Sequence, residues 1–206
     1  MKSVVIFDMD GTLVDSSLTI VRAINFVRQN LSLPAMDEEL ILKKVNDPHL
    51  NPAQYFYETP AFTTEHETWF AEYYTKHHEE ELRLYDGIYE LLHTLKENNY
   101  LLAIATNAYR VSTIQSIKHL KVLELFDSIV CHDDVSKGKP NPEMLEVILE
   151  ELKLKSNDAI FVGDSERDAL ASKALNMDYI MVNWGFSNYS DAIHSSTLLE
   201  EKILEL

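Results

Sequence analysis

The segment Asp8-Met9-Asp10-Gly11-Thr12-Leu13 sets two carboxylates two residues apart, directly after the apolar run Val4 to Phe7. In an extended segment, residues two apart point to the same side, so both carboxylates can face one site. Its Asp, Asp, Gly and Thr would recur by chance about once in 10⁵ positions at average residue usage. Carboxylates held this close repel each other unless a shared proton or a cation intervenes. A hard cation with oxygen ligands, Mg²⁺ foremost, resolves the conflict. The plain alternative is a solvated acidic turn. Three further segments bear on that choice. Gly163-Asp164-Ser165-Glu166-Arg167-Asp168 again sets acidic residues behind an apolar run, with Asp164 and Asp168 four apart and so on one face of a first helical turn. Complementing a helix macrodipole is the simpler account of that pair taken alone. Thr106-Asn107 follows Leu101 to Ala105. A hydroxyl beside successive backbone N–H groups suits phosphate oxygens, and Thr106 alone reads equally well as a helix N-cap. Lys139 lies in Lys137-Gly138-Lys139-Pro140-Asn141-Pro142, where the Gly and Pro residues suggest a rigid loop. Its cation would neutralise a phosphate and an attacking carboxylate together, although most lysines are simply solvated.

Such residues need a scaffold that gathers distant segments at one edge. Val4 to Phe7, Leu101 to Ala105, Ser128 to Cys131, Ile160 to Val162 and Tyr179 to Val182 are short apolar runs that read as buried strands. Helical patterns lie between them. Ile88, Leu91, Leu92 and Leu95 follow the i, i+3, i+4, i+7 spacing, and Val111, Ile114, Ile117 and Leu120 do so more roughly. Asn141-Pro142 reads as an N-cap and first helical residue, leading into Met144, Leu145, Ile148 and Leu152. This alternation predicts right-handed βαβ units in a three-layer α/β fold with a parallel sheet. Ligands of such sheets bind at the carboxyl edge, where Asp8 would stand.

Residues 16–82 break the alternation. Leu18, Val21, Ile24, Val27 and Leu31 line one helix face; Asp47-Pro48 and Asn51-Pro52 mark a loop and a restart. Thr64-Glu65-His66-Glu67 resembles a capping box ahead of the aromatic stripe Trp69, Phe70, Tyr73 and Tyr74, which reads as packing. The expected organisation is a Rossmann-like core from residues 1–15 and 83–206, with a helical cap at 16–82 inserted after the first strand.

The chain has 206 residues, 46% hydrophobic and 25% charged, enough for a buried core. Its net charge of −16 opposes nucleic acid and anionic membranes. An anionic substrate would need local positive charge from a metal or a placed lysine. Cys131 is the only cysteine, so no internal disulfide forms, and it reads as a buried apolar residue. No apolar run has the length of a membrane span. These features predict a cytoplasmic protein; they leave its oligomeric state open.

In this order, Asp8-x-Asp10-Gly-Thr-Leu, Thr106-Asn107, Lys139-Pro140 and Gly163-Asp164-x-x-x-Asp168 resemble the four motifs of the haloacid dehalogenase superfamily of phosphohydrolases, over nearly the whole chain. The insertion resembles the helical cap of its phosphoglycolate-phosphatase-like branch. The resemblance implies a sheet of strand order 5-4-1-2-3 with a cap closing over the site. It implies that Asp8 attacks phosphorus to form an aspartyl-phosphate, and that Asp10 serves as general acid and then base. Mg²⁺ would be held by Asp8, Asp164 and the main-chain carbonyl of Asp10, with Asp168 acting directly or through water. Thr106 and Asn107 would bind phosphate oxygens of a small phosphate ester, and Lys139 would orient Asp8. Asp10 is typically missing from the dehalogenases of the superfamily, and its sugar-phosphate mutases, the alternative reading, often carry Glu at the place of Gly163. Ala108 and the glycine-free loop Val45 to Pro52 depart from the commonest phosphoglycolate phosphatase pattern. The motifs read phosphate and metal, so the leaving group falls to the cap, and Arg22, Lys43 and Lys44 are the cap cations expected to hold it.

Overall fold

The computed structural model describes residues 2–185 and 189–206. Five parallel strands form the central sheet: β1 (Val4–Phe7), β4 (Leu101–Ala105), β5 (Ser128–Val130), β6 (Ala159–Gly163) and β7 (Asp178–Met181). Their order across the sheet is β5-β4-β1-β6-β7. Numbered along the chain within this sheet, that is the expected 5-4-1-2-3 read from the opposite edge. Every residue of β1 is buried because helices cover both faces. Val5 and Phe7 face the layer of α5 (Ile88–Glu97), α6 (Arg110–His119) and α9 (Ser196–Leu204), packing with Leu91, Leu95, Ile117 and Leu199. Val4 and Ile6 face α7 (Glu143–Leu152) and α8 (Glu166–Ala174), packing with Leu145, Ile148 and Ala171. The period-two alternation of one four-residue strand thus feeds both cores.

Between β1 and α5 the chain leaves the sheet through β2 (Val14–Asp15) and returns through β3 (Arg83–Leu84). The two are antiparallel neighbours, Val14 opposite Leu84 and Asp15 opposite Arg83. Such short pairs carry no alternation, which is why the sequence did not signal them. Between them stand α1 (Ser17–Asn30), α2 (Glu38–Val45), α3 (Pro52–Tyr57) and α4 (Thr64–Glu81). They close a separate apolar cluster of Ile20, Val21, Ile24, Val27, Ile41, Phe56 and Tyr57. Buried Arg28 is satisfied there by carbonyls, donating to Pro34 O at 2.8 Å and to Phe56 O. Leu18, expected in the stripe, is 36% exposed.

Two caps sit one residue from where the pattern put them. The N-cap of α4 is Thr63, not Thr64: its hydroxyl accepts the His66 N–H, and His66 Nδ1 accepts the Thr63 N–H at 3.3 Å. Helix α7 begins at Glu143, whose N–H is accepted by Asn141 Oδ1 at 3.1 Å, with Pro142 at the cap. Among the described residues, no helix is long and apolar enough to cross a membrane.

Candidate active site

Asp8, Thr106 and Asp164 are each the first residue after a strand, and β4, β1 and β6 are neighbours. Phe7 pairs with Ile104 on one side and Val162 on the other, so the three residues emerge at nearly one level. The chain runs outward from β1 in both directions, the position at which open α/β sheets leave a crevice. All three side chains are buried.

The loop after β1 is shaped by close backbone approaches. Gly11 has φ +86°, a left-handed conformation that favours glycine, and its N–H bonds to Val14 O at 2.9 Å. Gly185 lies against it: a Cβ there would stand 2.2 Å from Gly11 O. Beside it, the Trp184 indole N–H donates to Thr12 O at 2.9 Å. Asp10 therefore stands on a turn clamped from outside, with its side chain on the same cavity as Asp8.

Lys139 is buried with its ammonium 2.6 Å from Asp8 Oδ1 and 2.6 Å from Asp168 Oδ1, over the face of Phe161 at 5.3 Å. The solvated reading of this lysine does not hold. Its loop is held by Asn107, whose Oδ1 accepts the Lys139 N–H at 2.8 Å and whose Nδ2 donates to Lys139 O at 3.0 Å. The Asn107 amide thus bonds the Lys139 main chain at both ends. Gly138 makes the clasp possible, since a Cβ there would lie 2.6 Å from Asn107 Oδ1.

Asp168 is similarly engaged. Its Oδ2 accepts the Ser165 hydroxyl at 2.5 Å and the Ser165 N–H at 3.2 Å, closing the capping box of α8. Gly163 leaves the room, because a Cβ there would fall 2.6–2.7 Å from the Asp168 side chain. One carboxylate thus caps a helix and holds Lys139. Ser165 was missed in the sequence, although Ser165-x-x-Asp168 spells the capping-box pattern. Thr106 does not cap α6, whose N-cap is Tyr109; its Oγ1 accepts the Ala108 N–H at 3.1 Å.

Asp8, Asp164 and Asp168 offer oxygens within 4.8 Å of one another, all buried. Buried carboxylates this close repel one another, a conflict that a bound cation relieves. Burial pushes Asp8 up to about 7 against the opposing pull of Lys139, with Asp168 adding to the rise. Asp10 is raised by burial as well, with Ser16 and Lys139 opposing the rise. Burial acts to lower the pKa of Lys139, but Asp168 and Asp8 together outweigh it and leave it raised. A hard dication with oxygen donors fits this set.

A cavity of about 680 Å³ opens above Asp8 and Asp10, roofed by α1, α3 and α4. The structure does not bring Arg22, Lys43 and Lys44 to it, which corrects the expectation for all three. Arg22, on the polar side of α1, pairs with Glu81 at 2.8 Å and lines a different groove with Phe26 and Tyr73. Lys44 turns back to Asp47 at 2.9 Å, and Lys43 is exposed. The next residues, Val45 and Asn46, reach the site instead. Asn46 Nδ2 lies 3.5 Å from Asp164 Oδ2, and Arg167 donates to Val45 O at 2.8 Å and to Asn46 Oδ1. Nothing in the local sequence marked Asn46. Phe70 and Tyr74 of the aromatic stripe line the cavity as well as packing, and Tyr74 reaches Ser116 Oγ at 3.0 Å.

Comparison with known proteins accords with this geometry. The family model of haloacid dehalogenase-like hydrolases matches residues 5–182. The chain is similar to the pyrophosphatase PpaX of Listeria monocytogenes serotype 4b, 29% identical over 171 residues, covering 82% of this chain and 77% of the relative. It is also 29% identical over 206 residues to the phosphoglycolate phosphatase of Colwellia psychrerythraea, covering 94% and 89%. A crystal structure of a predicted phosphatase from Clostridium acetobutylicum superposes with a TM-score of 0.89 at 29% identity over the whole of both chains. With the family match running from β1 to the end of β7, the chain belongs to the haloacid dehalogenase-like hydrolases, as a phosphatase-type member.

Proposed function

We propose that this protein is a Mg²⁺-dependent phosphatase that hydrolyses a small phosphomonoester through an aspartyl-phosphate on Asp8. The observation that carries the reading is the buried Asp8 carboxylate, held at 2.6 Å by Lys139 on the floor of the cavity. In this reading residues 1–15 and 83–206 are the catalytic core, residues 16–82 are the cap, and the protein works in the cytoplasm on a soluble ester, without nucleic acid.

Asp8, Asp164, the main-chain carbonyl of Asp10 and, directly or through water, Asp168 would hold Mg²⁺. The ion, when bound, compensates the buried negative charge and that of the phosphate. Lys139 holds one Asp8 oxygen and keeps the carboxylate aimed into the cavity. Thr106 accepts an N–H and so keeps its own hydroxyl proton for a phosphate oxygen. An oxygen of Asp8 attacks phosphorus as the ester P–O bond breaks, and Asp10 gives its proton to the departing alkoxide oxygen. Asp10, now ionised, then takes a proton from a water that attacks phosphorus. The acyl-phosphate bond breaks, inorganic phosphate leaves and Asp8 is restored. The raised pKa of Asp10 suits a group that must hold a proton in the first step.

The test is acid quenching during turnover of acetyl phosphate, followed by peptide mass spectrometry. A phosphoryl group on Asp8, absent in Asp8→Asn and long-lived in Asp10→Asn, is the expected result. A phosphoryl group on another residue, or undiminished turnover in Asp8→Asn, overturns the reading.

A further inference from the structure

The cavity has two chemically different halves. Its floor is ionic, built from Asp8, Asp10, Lys139 and Asp168. Its cap side, where the leaving group of a phosphate ester bound at Asp8 would extend, is walled mainly by Ile20, Ile24, Phe56 and Phe70, with Thr68 and Thr75 as neutral polar groups. At about 680 Å³ it lies within the roughly 300–1,000 Å³ usual for small-molecule sites.

Positive charge is scarce in that half. Among the described residues lining the cavity, the Lys and Arg side chains are Lys139 and Arg167. Lys139 is committed to Asp8 and Asp168. Arg167, on the core side, gives its Nη2 to Val45 O and to Asn46 Oδ1 at the edge of the cap. Of the lining histidines, His66 accepts the Thr63 N–H at Nδ1 and His132 packs edge-on against the ring of Tyr109. The acid at the rim is Glu67, exposed and accepting the Tyr109 hydroxyl at 2.9 Å. A carboxylate or second phosphate in the leaving group would enter a chamber whose cap wall supplies no Lys or Arg among the described residues and has a carboxylate at its edge, where an unpaired charge is strongly disfavoured. A hydrocarbon chain would gain about fourfold in affinity for each methylene taken from water.

We propose that the substrate's alcohol is neutral and predominantly apolar, an alkyl or arylalkyl phosphate, and that phosphoglycolate and pyrophosphate are poor substrates. This rests on the phosphatase reading and deepens it by naming the substrate class. The cap selects by apolar contact and by supplying, among the described residues, no lysine or arginine to a second anion.

The experiment measures kcat/KM of the full chain with Mg²⁺ for n-propyl, n-butyl, n-pentyl and n-hexyl phosphate, phosphoglycolate, pyrophosphate and acetyl phosphate. The expected result is a rise of about fourfold per methylene and hexyl phosphate ahead of phosphoglycolate by at least about tenfold. A flat alkyl series, or phosphoglycolate or pyrophosphate at or above hexyl phosphate, overturns the proposal. Acetyl phosphate hydrolysis that Asp8→Asn abolishes shows that the phosphatase reading stands whichever way the series falls; its absence overturns both. A second arm uses Glu67→Lys, an exposed change outside the catalytic machinery. It should raise the phosphoglycolate to hexyl phosphate ratio by about tenfold through a nearby cation, and an unchanged ratio overturns the electrostatic argument.

Discussion

Replacing Asn107 by Ala tests whether this side chain is a clasp for Lys139 or a ligand for phosphate. The Asn107 amide makes hydrogen bonds of 2.8 and 3.0 Å to the N–H and C=O of Lys139, across a sequence separation of 32 residues. At about 1 kcal/mol net for each neutral hydrogen bond, the variant should lose about 2 kcal/mol of stability. For a chain of this size that lowers Tm by roughly 4–8 °C. The Lys139 ammonium would then be held less firmly on Asp8, which matters when Asp8 attacks and little when phosphate merely binds. The expected kinetic signature is a fall in kcat of about tenfold or more with the inhibition constant of inorganic phosphate changed by less than about threefold. Differential scanning fluorimetry, steady-state kinetics on acetyl phosphate and phosphate inhibition together make the assay. An unchanged Tm with phosphate affinity weakened more than about tenfold would refute the clasp and restore Asn107 as a direct ligand.

Gly163→Ala places a methyl within 2.7 Å of the Asp168 carboxyl carbon, so that side chain must leave Lys139 and the cap of α8. A loss of about 3–5 kcal/mol is expected by urea denaturation, and a loss under about 1 kcal/mol would show that Asp168 relaxes in place. Mg²⁺ should raise Tm of the wild type in the absence of substrate, and Asp164→Asn should remove most of that increment, because Asp164 is fully buried beside Asp8 and Asp168. Equal increments in both proteins would exclude Asp164 as a ligand. Burial pushes the Cys131 thiol up to about 11. The folded protein at pH 8 should therefore resist iodoacetamide and react after unfolding in urea, whereas rapid labelling of the native state would contradict this packing.

The sequence by itself determined the sheet and which carboxylates and lysine gather at its edge. The five strands are continuous apolar runs because both faces of the sheet are covered, and this pattern survives without any tertiary information. Asp8, Asp10, Lys139, Asp164 and Asp168 were legible because each stands within a short run of Gly, Pro or acidic residues whose local geometry restricts what can occupy it. What only the tertiary structure decided are contacts between segments with no fixed spacing. The bonds from the Asn107 amide to the Lys139 loop, 32 residues on, are such contacts. Arg22, Lys43 and Lys44 were chosen by charge and by nearness to the catalytic loop, but α1 presents Arg22 to Glu81, and α2 ends so that Asn46, two residues after Lys44, meets Asp164 and Arg167. The facing of a solvent-side cation depends on how a helix is rotated and seated, which its own sequence constrains only through the apolar stripe opposite. The character of the cavity was hidden for the same reason. Ile20 and Ile24 on α1, Phe56 on α3 and Phe70 and Tyr74 on α4 read as ordinary core positions. Only the seating of the cap over β1 and β4 makes them the wall of a site, because a residue buried against protein and one buried against a ligand carry the same apolar signature.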